Sequence, residues 1–294
     1  MNLSGPVIQE AAFVRSSTGS RFRLVSQPSG GKPIGTVIAA HAFAEEMNKS
    51  RRMCARMARL LAENGWCVVQ KDLLGCGDSS GDFADASWAA WVGDLADELS
   101  RADATRPIWL WGLRAGALLA SAVLPGRPQV NLLLWQPVSS GAQHLQQFLR
   151  LHAGARIVGS GKAGGDTSPA QRLRSGMPVE VGGYELSPAL ASGMEQASFD
   201  VPPDFAGRIA WFELSNDETP QLSPSATRVI ERLQTRHIVV EAEALAGSAF
   251  WQTQEIEENE ALLQRSLASV ARAPSVSPDA RAIGVAPRPA TSAP

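Results

Sequence analysis

Apolar residues along the chain fall into two alternating patterns. Short runs without strict alternation appear at "FRLVSQ" (22–27), "TVIAAHA" (36–42), "CVVQKDL" (67–73), "IWLWG" (108–112), "NLLLWQP" (131–137), "RIAWFEL" (208–214) and "HIVVEAE" (237–243). Runs of this kind suit strands covered on both faces. Between them lie segments with a helical stripe. Met53, Met57, Leu60 and Leu61 share a face that ends at Asn64-Gly65, Trp88, Trp91, Val92, Leu95 and Leu99 form a second stripe, and Ile256, Leu263, Leu267 and Val270 a third. Regular alternation of strand and helix predicts an α/β fold with a mostly parallel, doubly wound sheet of about seven or eight strands.

Two regions depart from this rhythm. Residues 140–205 are too long for a simple crossover and combine "AQHLQQFLRLH", the Gly/Ser-rich "GSGKAGGDTSPA" and "YELSPALASGM". An insertion at the carboxyl end of a sheet reads as a cap over a site. Residues 273–294, rich in Pro, Ala and Ser and without a period, read as a disordered tail. The expected organisation is one domain, 1–272, with the cap at about 140–205.

Composition narrows the functional classes. Of 294 residues, 44% are hydrophobic and 19% charged, enough for a large core, and the formal net charge of −2 leaves no electrostatic footprint for nucleic acid. The three cysteines, Cys54, Cys67 and Cys76, have no CxxC spacing, which argues against a disulfide framework and a zinc site. No metal or other cofactor is expected. There is no basic start followed by an apolar run, and no stretch of ~18 apolar residues marks a membrane span. The expectation is a cytoplasmic protein.

Four segments fall where ligands bind in open parallel sheets, after the carboxyl ends of strands. "HAFAEEMNKSRR" (41–52) follows a central strand. It resembles the oxyanion loop of α/β-hydrolases, with Phe43 presenting its N–H, or else is a plain loop with Asn48 as N-cap. "KDLLGCGDSSGDF" (71–83) carries Gly75, Gly77 and Ser79 at the spacing of a turn that buttresses hydrolase sites, and the structural reading is preferred. Gly112-Leu113-Arg114-Ala115-Gly116 has the spacing of a Gly-x-Ser-x-Gly nucleophile elbow. Arg114 holds the serine's place, and a guanidinium is not a nucleophile. "WFELSNDETPQLSP" (211–224) offers Asp217, or less favourably Glu218, as the acid of a triad, or simply an acidic turn before a helix starting near Ser223 or Ser225.

A general base is missing from its expected place. The segment after the last strand, "ALAGSAFWQTQ", has no histidine. His41 lies in the oxyanion-type loop, His144 and His152 read as surface or lid residues of the insertion, and His237 opens a strand at the wrong edge of the sheet. "GSGKAGGDT" is no phosphate loop: Arg156 stands where its first glycine belongs and Ala163 where Ser or Thr is needed.

Together, "FAEEMNKSRRM", "DLLGCGDSSGDF", "WLWGLRAGALLA" and "FWQTQEI" resemble the second type of hydrolase associated with exosortase A (PEP-CTERM) sorting systems, of the α/β-hydrolase superfamily, over roughly residues 20–270. The resemblance implies that an arginine at the elbow is normal, and it implies a Gram-negative cytoplasmic protein linked to exopolysaccharide and protein sorting. Other proteins of such gene clusters are then possible partners.

A cation beside a helix N-terminus calls for an acid. Asp217 and the pair Glu45/Glu46 are the candidates to pair with Arg114. The preferred function is binding: the N–H groups of Ala115 and Phe43 and the guanidinium surround an acyl carboxylate, a phosphate or a thioester oxygen. The alternative is an esterase or thioesterase using Ser79, Ser80, Ser139, Ser140 or Cys76 as nucleophile with Asp78 or Asp217 as base. A third reading is an interaction subunit that uses the tail.

Overall fold

The computed structural model describes residues 5–159 and 167–272. The proposed tail, His152 and most of the Gly/Ser-rich stretch lie outside the residues whose side chains it describes. In chain order the elements are β1 (Val7–Ser16), β2 (Gly19–Pro28), β3 (Thr36–Ala40), α1 (Glu45–Glu63), β4 (Cys67–Lys71), α2 (Trp88–Arg101), β5 (Ile108–Leu113), α3 (Gly116–Ala122), β6 (Asn131–Trp135) and α4 (Gly141–Gly159). Then come α5 (Pro169–Arg174), β7 (Val179–Val181), β8 (Tyr184–Leu186), α6 (Pro188–Gln196), β9 (Arg208–Ser215), α7 (Pro224–Thr235), β10 (Val239–Ala246) and α8 (Glu260–Ala271).

Among the described residues the main sheet has eight strands in the order β1-β2-β4-β3-β5-β6-β9-β10. The pairs β1–β2 and β2–β4 are antiparallel, and every later pair is parallel. Side chains alternate between two cores, as the pleat requires. Ile38, Leu110, Leu132, Leu134 and Trp211 face one core, with α2, α3 and α7. Val37, Trp109, Trp111, Leu133, Trp135 and Phe212 face the other, with α1 and α8. The second core is pinned by a hydrogen bond from Trp135 Nε1 to Ser266 Oγ, 2.8 Å.

Several expectations shift. β1 was not read as a strand, because most of its side chains are exposed and its partner β2 supplies the order. α1 begins at Glu45 after Ala44, so Asn48 lies inside the helix and does not cap it. His237 sits in the turn before β10 with φ of 60°, and Ile256 is exposed ahead of α8. Between β6 and β9 the chain folds as α4, α5, the β7–β8 hairpin and α6. No described helix is long and apolar enough to cross a membrane.

Candidate functional site

The strands β3 and β5 are neighbours whose connections leave to opposite sides, the point where an open α/β sheet forms a crevice. Three non-glycine residues with positive φ gather at the carboxyl ends of β3, β5 and β6: Ala44 at 51°, Arg114 at 55° and Gln136 at 42°. Such strain persists only where the surroundings impose it. At the elbow they do. A Cβ on Gly112 would lie 2.8 Å from Ala117 Cα, and one on Gly116 would collide with the carbonyl oxygen of Ala40. The strand therefore turns straight into α3. The Arg114 N–H donates to Trp135 O at 3.0 Å, and its carbonyl accepts from Val138 N at 3.1 Å. The backbone is that of a nucleophile elbow with an arginine at its apex.

The Arg114 side chain is held on three sides. Nε donates to Glu46 Oε1 at 3.2 Å, and Nη2 lies 3.2 Å from the same oxygen. Nη1 reaches Gln136 O at 3.4 Å. The guanidinium carbon lies 5.4 Å from the ring centre of Trp251, a cation–π contact. Beside it is a cavity of about 430 Å³, lined by Phe43, Glu46, His144, Phe148 and Trp251 and rimmed by Glu45, Lys49 and Gln252. That volume is within the range of small-molecule sites, roughly 300–1,000 Å³. Phe43 packs edge-on against Phe148, His144 and Trp91 at 4.9, 5.9 and 5.9 Å.

Three side chains lining this cavity carry buried polar atoms that are poorly satisfied. Glu46 Oε2 is buried outside good hydrogen-bond geometry, with the Gln252 side chain as a weak donor to that carboxylate, and neither ring nitrogen of His144 nor Trp251 Nε1 has a partner. Burial raises the Glu46 carboxyl pKa, against the pull of Arg114 and of the Gln252 amide nearby. Burial, then the Arg114 charge, lowers His144 to about 4, so its ring is neutral at pH 7. His144 is only 7% exposed. Of the two expectations for His144, surface or lid residue, the surface one is corrected: α4 of the insertion carries it buried into the site, with Phe148 one turn further on the same face. Its i, i+4 spacing to Phe148 was the available signal.

The other candidates are placed as follows. Glu45 faces the rim and accepts from Tyr184 Oη at 3.0 Å. Among the described residues, Glu46 is the carboxylate in ion-pair reach of Arg114. Asp217 does not pair with it: that residue is exposed and accepts from Ser215 Oγ at 2.6 Å. The buried carboxylate of this region, Glu213, accepts from Ser223 N and Oγ at the start of α7. The N–H groups of Phe43 and Ala115 donate no hydrogen bond among the described residues. His41 Nδ1 lies 2.8 Å from Ala42 O, and the ring lines a separate cavity of about 190 Å³ beneath α1.

Four of the five proposed nucleophiles are engaged in other contacts or held as a thiol, and Ser139, beside the start of α4, accepts from Phe199 N at 3.0 Å with its carbonyl. Ser79 Oγ donates to Asp72 O and accepts from Phe22 N, Ser80 Oγ bonds Ser20, and Ser140 Oγ accepts from Gln143 N. Burial pushes the Cys76 thiol up to about 12, which removes its thiolate at neutral pH. The turn around them is structural: Gly75 and Gly77 have φ of 71° and 53°, and a Cβ at either would strike Asp82 O or Asp72 Oδ2. A larger cavity, about 640 Å³, lies inside the insertion between α4, α5 and α6, where Arg174 and Glu195 pair with each other at 3.1 Å.

The fold has many solved counterparts. Est1E from Butyrivibrio proteoclasticus, with ferulic acid bound, superposes with a TM-score of 0.61 over 88% of this chain and 96% of its own, at 14% identity. A thermostable carboxyl esterase from Bacillus coagulans, in complex with glycerol, gives 0.53 over 81% and 90% at 15% identity. A thioesterase domain from the curacin biosynthetic pathway gives 0.50 over 90% and 98% at 14%. No protein-family model matches the chain, and neither does any curated protein.

Proposed function

We propose that this α/β-hydrolase-fold chain binds a small carboxylate-bearing acyl or aryl ligand at Arg114 and does not hydrolyse it. The reading rests above all on one observation: the strained elbow, which in a serine hydrolase presents the nucleophile, here presents a guanidinium to an aromatic-walled cavity. An arginine fork matches a carboxylate, and the neutral ring of His144 offers a second hydrogen bond. The apolar body of the ligand packs on Phe43, Phe148 and Trp251. Glu46 pairs with the guanidinium, and the ligand's carboxylate competes with it. The segments that resemble exosortase A-associated hydrolases include Phe43, Glu46, Arg114 and Trp251 themselves, which supports placing the chain in that cytoplasmic sorting and exopolysaccharide system.

Calorimetry and thermal shift against butyrate, octanoate, 3-phenylpropanoate and ferulic acid test the reading, with the neutral amides as controls. The acids bind and the amides bind weakly. Arg114→Met lowers acid affinity by about ten- to a hundredfold, the loss of a charge-assisted hydrogen bond. Fluorophosphonate labelling and turnover of acyl esters and thioesters run in parallel. A covalent adduct with turnover, abolished by replacing one serine or Cys76, overturns binding in favour of the esterase or thioesterase alternative.

A further inference from the structure

The ion pair at the elbow is half made. Both guanidinium contacts end on one oxygen, Glu46 Oε1, at 3.2 Å, while Oε2 is buried outside good hydrogen-bond geometry. Across the same cavity His144 is buried with two unpartnered nitrogens. Each unsatisfied buried polar group costs about 1–3 kcal/mol, and here several of them line one cavity. A carboxylate entering this cavity would offer hydrogen-bond partners to Arg114 and His144.

We propose that Glu46 is a resident stand-in for the ligand's carboxylate: a monocarboxylate displaces it from Arg114, bonds His144 with its second oxygen, and brings in one proton that ends on Glu46. No covalent bond forms or breaks. Before exchange the site holds Glu46⁻ and Arg114⁺, and afterwards it holds neutral Glu46, Arg114⁺ and the ligand carboxylate. The inference rests on the proposed binding of carboxylates at Arg114 and adds how the site is emptied.

Charge balance requires the proton. Around Glu46, α1 also carries Glu45, which is engaged with Tyr184, and Lys49, which donates to Gln252 O at 3.1 Å. These two rim charges cancel. From α4 comes the neutral His144, from the elbow Arg114, and from the loop after β10 the uncharged Gln252. A second carboxylate would leave the site at −1, and two carboxylates at one short separation do not both stay ionised. Glu46 is the desolvated one, and its burial already favours the acid form. The ligand's own polar oxygens gain the guanidinium and the imidazole.

The test is calorimetry of the full chain with 3-phenylpropanoate at pH 6, 7 and 8, in two buffers of different ionisation enthalpy. Uptake of one proton makes affinity fall about tenfold per pH unit, and the buffers report that proton directly. Glu46→Gln, checked for folding by circular dichroism, is expected to bind as tightly at pH 8 as at pH 6 and to take up no proton. Binding that depends on Arg114 but shows a flat pH profile and no uptake in the unmodified chain overturns the exchange alone. So does a Glu46→Gln variant that keeps the slope. Absence of binding, or equal binding by Arg114→Met, overturns the binding reading and the exchange with it.

Discussion

Two arginine–carboxylate pairs among the described residues, one fully buried and one half-buried, are finished to different degrees. Arg21 and Asp94 are 0% and 2% exposed and meet at 2.7 Å. The Arg21 guanidinium also donates to Thr18 O, Ser20 O and Thr18 Oγ1, and Asp94 accepts from Leu74 N at 3.0 Å and Ser16 Oγ at 3.3 Å. Alongside, Lys71 lies 3.1 Å from Glu98 and donates to Asp94 O. Both oxygens of Asp94 are used, Glu98 Oε1 is met by Lys71 as an ion pair without a hydrogen bond, and the network fastens α2 to β2, to β4 and to the glycine-rich turn. Arg114 and Glu46 share one oxygen, leave the other poorly satisfied and border a cavity. The charges are the same, but a completed network holds structure while an incomplete one keeps room for a partner.

The largest effect expected from breaking this contrast is in the completed network. Asp94→Ala leaves the Arg21 charge buried without a counter-ion, which costs about 3–5 kcal/mol. Glu46→Gln keeps an amide against Arg114 at a partly open site and should cost less than about 1 kcal/mol. Equilibrium denaturation in urea measures both. Equal losses would mean that the elbow pair is as structural as the other.

The next effect belongs to His144. Its pKa is lowered to about 4 in the folded chain, chiefly by burial, from 6.5 in the unfolded one. Between those values the unfolded chain holds a proton that the folded chain does not. Stability is therefore full above pH 6.5 and falls as pH drops toward 4, by roughly 3 kcal/mol over the window. His144→Phe should flatten that part of the profile. An unchanged slope would mean that His144 is solvated and does not face the cavity as a neutral ring.

This division also explains what could be read from the chain. The elbow was legible because its glycines are forced by backbone neighbours, Ala117 and the Ala40 carbonyl, and such demands leave a spacing in the sequence. Strands β2 to β6 and β9 were legible because they are covered on both faces. β1 was not: it is an edge strand, ordered by pairing and not by burial. Glu45 and Glu46 stayed equivalent on paper, since adjacent residues on one helix differ only in direction, about 100° apart. His144 is not legible as a site residue because chain order places a base in the segment after the last strand, where Trp251 stands. The insertion returns to the crevice through space, and only the i, i+4 pair His144 and Phe148 hints at it. Asp217 was the mirror error: a well-placed letter whose side chain points to solvent.

The smallest effect isolates the backbone. Arg114→Gly and Arg114→Ala remove the same ion pair and the same contact with Trp251, so their difference reports the conformation at φ of 55°. Glycine occupies that region freely, whereas a Cβ costs roughly 1–2 kcal/mol there, partly offset by the greater freedom glycine has when unfolded. Arg114→Gly should be about 0.5–1 kcal/mol more stable than Arg114→Ala in the same urea titration. The order should reverse at Arg21, which lies in the middle of β2 with no positive φ, where glycine only adds unfolded-state entropy. If alanine is the more stable replacement at both positions, the elbow carries no strain. In that case the comparison loses its backbone half and rests on the poorly satisfied oxygen of Glu46 alone.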